Sequence, residues 1–576
     1  MRNNSLFLTR LALLLLAGHS QAQTRTSYEV VFEPNVQMKT RNGVILRADI
    51  YRPKAEGKFP VLINCTPYDK RHPLYIPDGI ASAQRGYVYI TQDARGRFDS
   101  QGEWYPFKYE GQDGYDTVEW AGTLPYSNGK VAMTGISYVA VPQLLTAVAA
   151  PPHLVAIYPG ITGSNYHSNW IYQGGAFSQL FSQEWAAQFA IADLTKRLRA
   201  AIPPLDNKQP PLEYPLVNVG STKDIGPYYY DWVAHPRYDD YWKQWSVEEH
   251  YDQIKVPALH IGAWYDLFMP GALRNYQGIK EHGGSTAARN GQRLVIFPGG
   301  HAGWSSSKVG EVDFGNSAIF DFTEYGLRWF DWVIKGIDNG MGHEKPVKLF
   351  VMGRNMWREE DSWPLARAKN THYYLHSRGH ANTLRGDGWL DANGPATASS
   401  DEYVYDPDDP VPTHGGATGG GPGVAGPRDQ RAVEERPDVL VYTAPPFDQD
   451  TEVTGPVRLE IFVSSSAVDT DFTAKLVDVW PNGFAQNLSD GILRARYRNS
   501  MERAELMKPG QIYKLTIDLS ATSNVFLEGH KLRVQLTSSD FPRFDRNLNT
   551  AADPETARVP SRQPTSSIMT QTIHLP

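Results

Sequence analysis

The chain has 576 residues, a formal net charge of −7, and a composition of 41% hydrophobic and 21% charged residues, which is ordinary for a globular protein with room for several cores. No broad basic surface is available, so nucleic-acid binding is excluded as a main function and anionic membranes gain no electrostatic support. The 31 Tyr, 15 Trp, 50 Gly and 41 Pro favour structured loops and β-rich regions over helical bundles.

The first residues read as a secretory signal. Arg2 and Arg10 precede the apolar run 11–17, and Ser20 and Ala22 stand where a signal peptidase reads small residues. The run is shorter than the ~20 residues a bilayer span needs. Residues 1–22 are therefore expected to be a signal peptide, with no stable membrane anchor and a mature chain beginning near Gln23, periplasmic or secreted. Cys65 is the only cysteine, so stability must come from packed cores rather than intramolecular disulfides. Its place in the apolar run 61–65 reads as a buried, inert strand thiol.

Alternating residues on either side of Asn42 and Gly43 predict a β-hairpin. Short apolar strands follow at helix-length intervals, at 61–64, 87–91, 131–134, 154–158, 258–262 and 294–297. Strands so spaced imply a parallel sheet covered on both faces, with ligands beyond the C-terminal strand ends. The rhythm breaks from about 164 to 255. Phe177, Leu180, Phe181, Glu184, Trp185, Gln188 and Phe189 recur at helical spacing there, the run ends near Pro203 and Pro204, and aromatic clusters follow at 228–232 and 238–245. These aromatics fit a helical core, or a cap roofing a site and lining an apolar acyl or alcohol pocket. After 345 the segments 347–352, 371–375, 457–463, 474–479 and 531–536 are short and mostly alternating. The fold class expected is α/β: an α/β-hydrolase domain (23–163 and 256–345), an inserted helical cap (164–255), and a C-terminal β-sandwich resembling a jelly roll (346–576). The glycine-dense stretch 414–427 reads as a loop within that last domain. No repeat or metal motif appears, and His343 with Glu344 lacks the second histidine of a zinc-protease helix.

Gly135, Ile136 and Ser137 follow an apolar strand and precede a helix-like run, the arrangement that lifts a serine nucleophile above a strand end. The second glycine usual two residues after the serine is here Val139. A serine hydroxyl needs a base within hydrogen-bond reach and a carboxylate to orient it. Asp266 follows the strand 256–265 and His301 follows 294–300, in the order Ser, Asp, His typical of α/β-hydrolases. His260 sits inside the acid-bearing strand and reads as part of its wall. The amide of Tyr138 is the expected first oxyanion donor. The loop 66–70 holds the place of the second, where Tyr68 is either a phenolic donor or simply a loop aromatic.

These residues resemble the cocaine-esterase-like (CocE/NonD) hydrolases, related to the X-Pro dipeptidyl-peptidases and α-amino acid ester hydrolases. The family pattern Gly-x-Ser-Tyr-x-Gly is matched from Gly135 to Val139, with Ala140 in place of the last glycine. Similar too are the runs 92–97, 114–120, 126–130, 262–266 and 298–301, and in the β region 469–472, 529–533 and 541–544. The resemblance spans essentially the mature chain. It implies the triad Ser137, Asp266 and His301, with Tyr68 and Tyr138 forming the oxyanion hole. Relatives that hydrolyse α-amino acid esters carry acidic residues two and three positions after the acid. Here those positions are Phe268 and Met269, although Glu184, Asp193 or Asp231 from the cap could substitute.

The expected function is an exported serine hydrolase of small carboxylic esters or amides, working through an acyl-enzyme and needing no metal or organic cofactor. An X-Pro dipeptidyl-peptidase or an acylase/amidase of the same superfamily is the enzymatic alternative. A non-catalytic carbohydrate-binding protein is the alternative from another class. Oligomeric state is not encoded in any motif.

Overall fold

The computed structural model describes residues 27–198, 226–302, 304, 306–394, 397–419, 425–552 and 567–575. The expected signal peptide, and Pro203 with Pro204, lie outside these residues. No helix among them is long and apolar enough to cross a membrane.

The first domain is built on a ten-stranded sheet. Strands β1 (Val30–Lys39) and β2 (Ile45–Pro53) form the expected antiparallel hairpin, whose tight turn holds Gly43 at φ +88°. Next come β3 (Phe59–Thr66), β4 (Val88–Asp93), β5 (Ser127–Ile136) and β6 (Leu154–Gly160). In space the order is β1-β2-β4-β3-β5-β6, continued by Ala258–Tyr265, Gln292–Gly300, Val347–Val351 and Met356–Glu360. From β4 to Val347–Val351 neighbouring strands are parallel. The chain steps from β3 outward to β4, then returns to place β5 on the other side of β3. That reversal opens a crevice at the C-terminal ends of β3 and β5.

Residues of each strand alternate between two cores, as a two-residue period demands. Val61, Ile63, Val131 and Met133 join a core with helices α2 (Glu110–Gly122) and α3 (Ala140–Ala149). Leu62 and Ala132 face the opposite core, with Ala83 of α1 (Tyr75–Gln84) and Trp329 of the helix Phe322–Val333.

One expectation is corrected here. The strand Val347–Val351, read from the sequence as part of the C-terminal β region, pairs in parallel with Gln292–Gly300 and extends the first sheet. A five-residue apolar strand carries no signal of which sheet it joins.

Helix α4 (Gln179–Leu198) opens the cap, and its Phe181, Trp185 and Phe189 recur every fourth residue on one buried face. Phe177, expected within that helix, lies instead in a two-residue strand before it. Trp170, Trp185, Tyr228 and Trp232 belong to the same core as α2 and α3, so the cap packs as a continuation of the catalytic domain. The C-terminal region is a sandwich of a six-stranded and a four-stranded sheet. Its inward residues, among them Phe472, Leu476, Leu515, Ile517, Leu536 and Ile573, share one core with Trp264 and Leu294 of the first domain.

Candidate active site

The site sits on the crevice between β3 and β5. Strand β5 ends at Ile136, and Ser137 holds φ +60°, a left-handed conformation that a non-glycine residue keeps only when its surroundings enforce it. A 3₁₀ turn, Ser137–Val139, then leads into α3. Val139 fills the space left by Gly135: a Cβ at Gly135 would stand 2.3 Å from Val139 Cγ1, and Gly135 itself holds φ +138°. Ala140 is fully buried with ordinary helical dihedrals, φ −83° and ψ −20°. The turn therefore needs no glycine at either 139 or 140.

The residue that clamps this turn carries no signal in the local sequence. Gln143, one turn into α3, donates its amide to the Gly135 carbonyl at 3.0 Å and the Val139 carbonyl at 3.3 Å, and accepts from the Tyr158 amide at 3.0 Å. A buried glutamine reads as unremarkable until β6 is placed beside it.

Ser137, His301 and Asp266 come together across three strand ends. Ser137 Oγ lies 2.9 Å from His301 Nε2, and His301 Nδ1 lies 2.7 Å from Asp266 Oδ2. A carboxylate only accepts, so Nδ1 carries the proton and Nε2 is left free to accept from the serine hydroxyl. Asp266 is fully enclosed, and its other oxygen accepts the Phe268 amide at 2.7 Å. The His301 ring meets the Phe268 ring edge-on at 5.2 Å.

Tyr68 stands on the neighbouring strand end, its amide donating to Thr66 Oγ1 at 3.0 Å. Its phenolic oxygen accepts the Trp185 indole N–H at 3.1 Å, and Ser137 lies in its hydrogen-bonding neighbourhood. Burial is the largest influence on this phenol and pushes its pKa up, so the proton stays on the oxygen at neutral pH. Because the indole can only donate, that proton points elsewhere. The loop is held by Lys70, whose buried ammonium lies 2.9 Å from Asp93 and 2.5 Å from Asp99. Tyr138 has its amide at the start of the turn and its side chain buried, with the ring 5.4 Å from Trp185 and 6.0 Å from Trp170.

An aromatic wall surrounds this group. Phe268 stacks on Trp170 at 4.1 Å and meets Phe181 edge-on at 5.4 Å. Phe268 and Met269 are 0% and 2% exposed: Phe268 belongs to this wall, whereas Met269 packs in the core shared with the β-sandwich, so neither position offers the site a carboxylate. Asp231 accepts the Tyr105 hydroxyl at 2.7 Å. Glu184 is partly exposed on α4, and the Asp193 side chain lies outside the described residues.

Other sequence candidates are placed away from the chemistry. His260 is buried in its strand 2.8 Å from Gln292, and burial lowers its pKa to about 4, so it stays neutral. Burial raises the Cys65 thiol far above its ordinary range, which leaves it inert. No group of three or more His, Cys, Asp or Glu suited to a metal occurs among the described residues.

Residues 42–303 match the X-Pro dipeptidyl-peptidase (S15) family, and residues 339–575 match the X-Pro dipeptidyl-peptidase C-terminal non-catalytic domain. The cocaine esterase of Rhodococcus sp. (strain MB1 Bresler) is 37% identical over 541 residues, covering 90% of this chain and 92% of that protein. The chain belongs to the CocE/NonD hydrolase family. This CocE/NonD member is a serine-dependent hydrolase, which removes the carbohydrate-binding alternative. An aminopeptidase from a marine sediment Thaumarchaeota archaeon shares the fold with a TM-score of 0.78 at 24% identity, over 100% of this chain and 97% of that one. An α-amino acid ester hydrolase does so with a TM-score of 0.74 at 22% identity, over 98% of each chain.

Proposed function

We propose that the protein is an exported carboxyl-ester hydrolase whose acyl pocket takes a flat, apolar acyl group. The carrying observation is the unbroken line Ser137–His301–Asp266 beside Tyr68, set against the stacked pair Trp170 and Phe268. Ser137 attacks the acyl carbon while His301 takes its proton, and Asp266 stabilises the imidazolium. The Tyr68 phenol and the Tyr138 amide donate to the carbonyl oxygen as it becomes an oxyanion. When the intermediate collapses, the ester C–O bond breaks and His301 protonates the departing alcohol. Water, deprotonated by His301, then attacks the acyl-serine and releases the acid. Export rests on residues 1–22 alone.

Two features favour a neutral ester over a dipeptide. An X-Pro substrate brings a charged α-amine, yet the residues two and three positions after the acid are Phe268, an apolar ring against His301, and Met269, buried in the core shared with the sandwich. The 37%-identical relative is an esterase by name. A panel of an aryl ester, a short alkyl ester, an anilide of the same acid and Ala-Pro-nitroanilide tests the reading. Highest kcat/KM on the aryl ester is expected. Ala-Pro-nitroanilide as the best substrate would replace the ester reading with the peptidase one.

A further inference from the structure

Glu110 opens α2 and is 7% exposed. Its Oε1 accepts the Tyr138 hydroxyl at 2.5 Å, and the Tyr138 oxygen accepts the Phe107 amide at 2.9 Å. Phe107 holds φ +70° and stacks on Tyr166 at 4.3 Å, so a strained loop is fixed to the same hydroxyl. The chain thus spends a buried carboxyl on the residue that directly follows the nucleophile.

The groups facing Glu110 offer its charge little compensation. Arg95, from the loop after β4, is the cation that reaches it electrostatically. Its guanidinium is already held by Asp113 through hydrogen bonds of 2.8 and 2.5 Å. The remaining ionisable neighbours are Asp113 on α2, Cys65 on β3, Tyr166 after β6, and Tyr138 itself. Each of these is neutral or negative at neutral pH. A buried carboxylate without its own counter-ion is strongly disfavoured. Consistent with that, burial raises Glu110 to about 7, with Asp113 adding to the rise, against opposing hydrogen bonds from the Tyr138 hydroxyl, the Tyr109 backbone and the Trp104 side chain.

We propose that Glu110 is a positioning residue for the oxyanion hole: its neutral carboxyl locks the Tyr138 ring, and with it the 138 amide, while its ionisation slows turnover. The inference rests on the serine-hydrolase reading of Ser137. The cause is electrostatic, because a negative charge beneath Tyr138 opposes the negative charge forming at the oxyanion in a low-dielectric site.

The test is the pH dependence of kcat and KM for an uncharged aryl ester, using the full chain, Glu110→Gln and Glu110→Ala. Wild-type turnover is expected to fall as pH rises above about 7. Glu110→Gln keeps the hydrogen bond without the charge, so it should retain the neutral-pH kcat and lose the falling limb. Glu110→Ala should lower kcat ~10–100-fold with KM little changed. Titrating competent sites with a fluorophosphonate separates unfolded protein from slow protein. A falling limb that persists in Glu110→Gln, or a wild-type kcat in Glu110→Ala, overturns the proposal. Activity retained in Ser137→Ala would instead overturn the underlying reading.

Discussion

Tyr68 is the residue on which the oxyanion account turns. Trp185 occupies one side of its phenolic oxygen, burial keeps its proton in place, and Ser137 is its neighbour. Tyr68→Phe removes the donor and keeps the ring packing against Phe189. It should lower kcat by ~10²–10³ with little change in KM. A fall confined to KM in steady-state assays would mean the phenol binds substrate and does not stabilise the oxyanion. At this scale the sequence was informative about groups whose role follows from a strand end: Ser137, Asp266 and His301 each close a strand in the order the chemistry needs. It was silent about Gln143 and Glu110, whose partners lie 8 and 28 residues away, and it placed Trp185 on the cap helix without naming its partner Tyr68, 117 residues away. Nothing in the local pattern of a buried glutamine or a helix-opening glutamate names such a partner.

Buried histidines give the residue scale a pH prediction. His167 and His260 are both enclosed, and burial lowers each from 6.5 to about 4. In the unfolded chain these imidazoles take up protons below about 6.5, while in the folded chain they wait until about 4. Stability is therefore present above 6.5 and is lost as pH falls through that window, by up to about 3 kcal/mol each. The urea midpoint should drop between pH 7 and pH 5. An unchanged midpoint would mean that these rings are not held neutral.

Among the elements, the nucleophile turn shows how a departure from pattern is absorbed. Val139 packs into the volume that Gly135 leaves empty, and Ala140 takes ordinary helical dihedrals as the first residue of α3. Ala140→Gly would restore the family glycine, yet it should destabilise by about 0.5–1 kcal/mol through helix propensity, with kcat unchanged. Thermal melts and ester kinetics check both halves; a gain in stability would show that the Ala140 methyl strains the turn. Most parallel strands were legible because they are apolar runs at helix-length spacing. Val347–Val351 was misassigned because register between sheets is decided by which edge is free, and a short run does not record that. The helical face of α4 was legible from Phe181, Trp185 and Phe189, whereas Phe177 fitted the same period and yet pairs as a strand.

Across the whole molecule, the β-sandwich braces the cap and the acid-bearing strand. Asp545 accepts the Phe177 amide at 2.6 Å, returns its own amide to the Phe177 carbonyl at 2.9 Å, and pairs with Arg494 at 2.9 Å. Tyr265, next to Asp266, donates its hydroxyl to the Asn487 carbonyl at 3.1 Å and accepts Gln486 at the same distance. The C-terminal domain thus acts on the site through the strand and the cap that shape it. Asp545→Ala should cost about 2–3 kcal/mol, because a charge-assisted hydrogen bond is lost and Arg494 loses one of its carboxylates. It should also raise KM for the aryl ester, as the cap loses its anchor. An unaltered melt and KM would show that the sandwich does not brace the cap. The two-sheet character of this region was legible from its alternating strands. Its contact with the cap was not, since hydrogen bonds between residues 368 positions apart leave no trace in composition.

The central claim is that Ser137 is the nucleophile of an acyl-enzyme cycle. Intact-mass analysis after reaction with a fluorophosphonate, paired with kcat on an aryl ester, tests it most directly. One adduct on Ser137 is predicted, absent in Ser137→Ala, together with a fall in kcat of ~10⁴–10⁶ in that variant. An adduct on another residue, or turnover by Ser137→Ala at the wild-type rate, would contradict it.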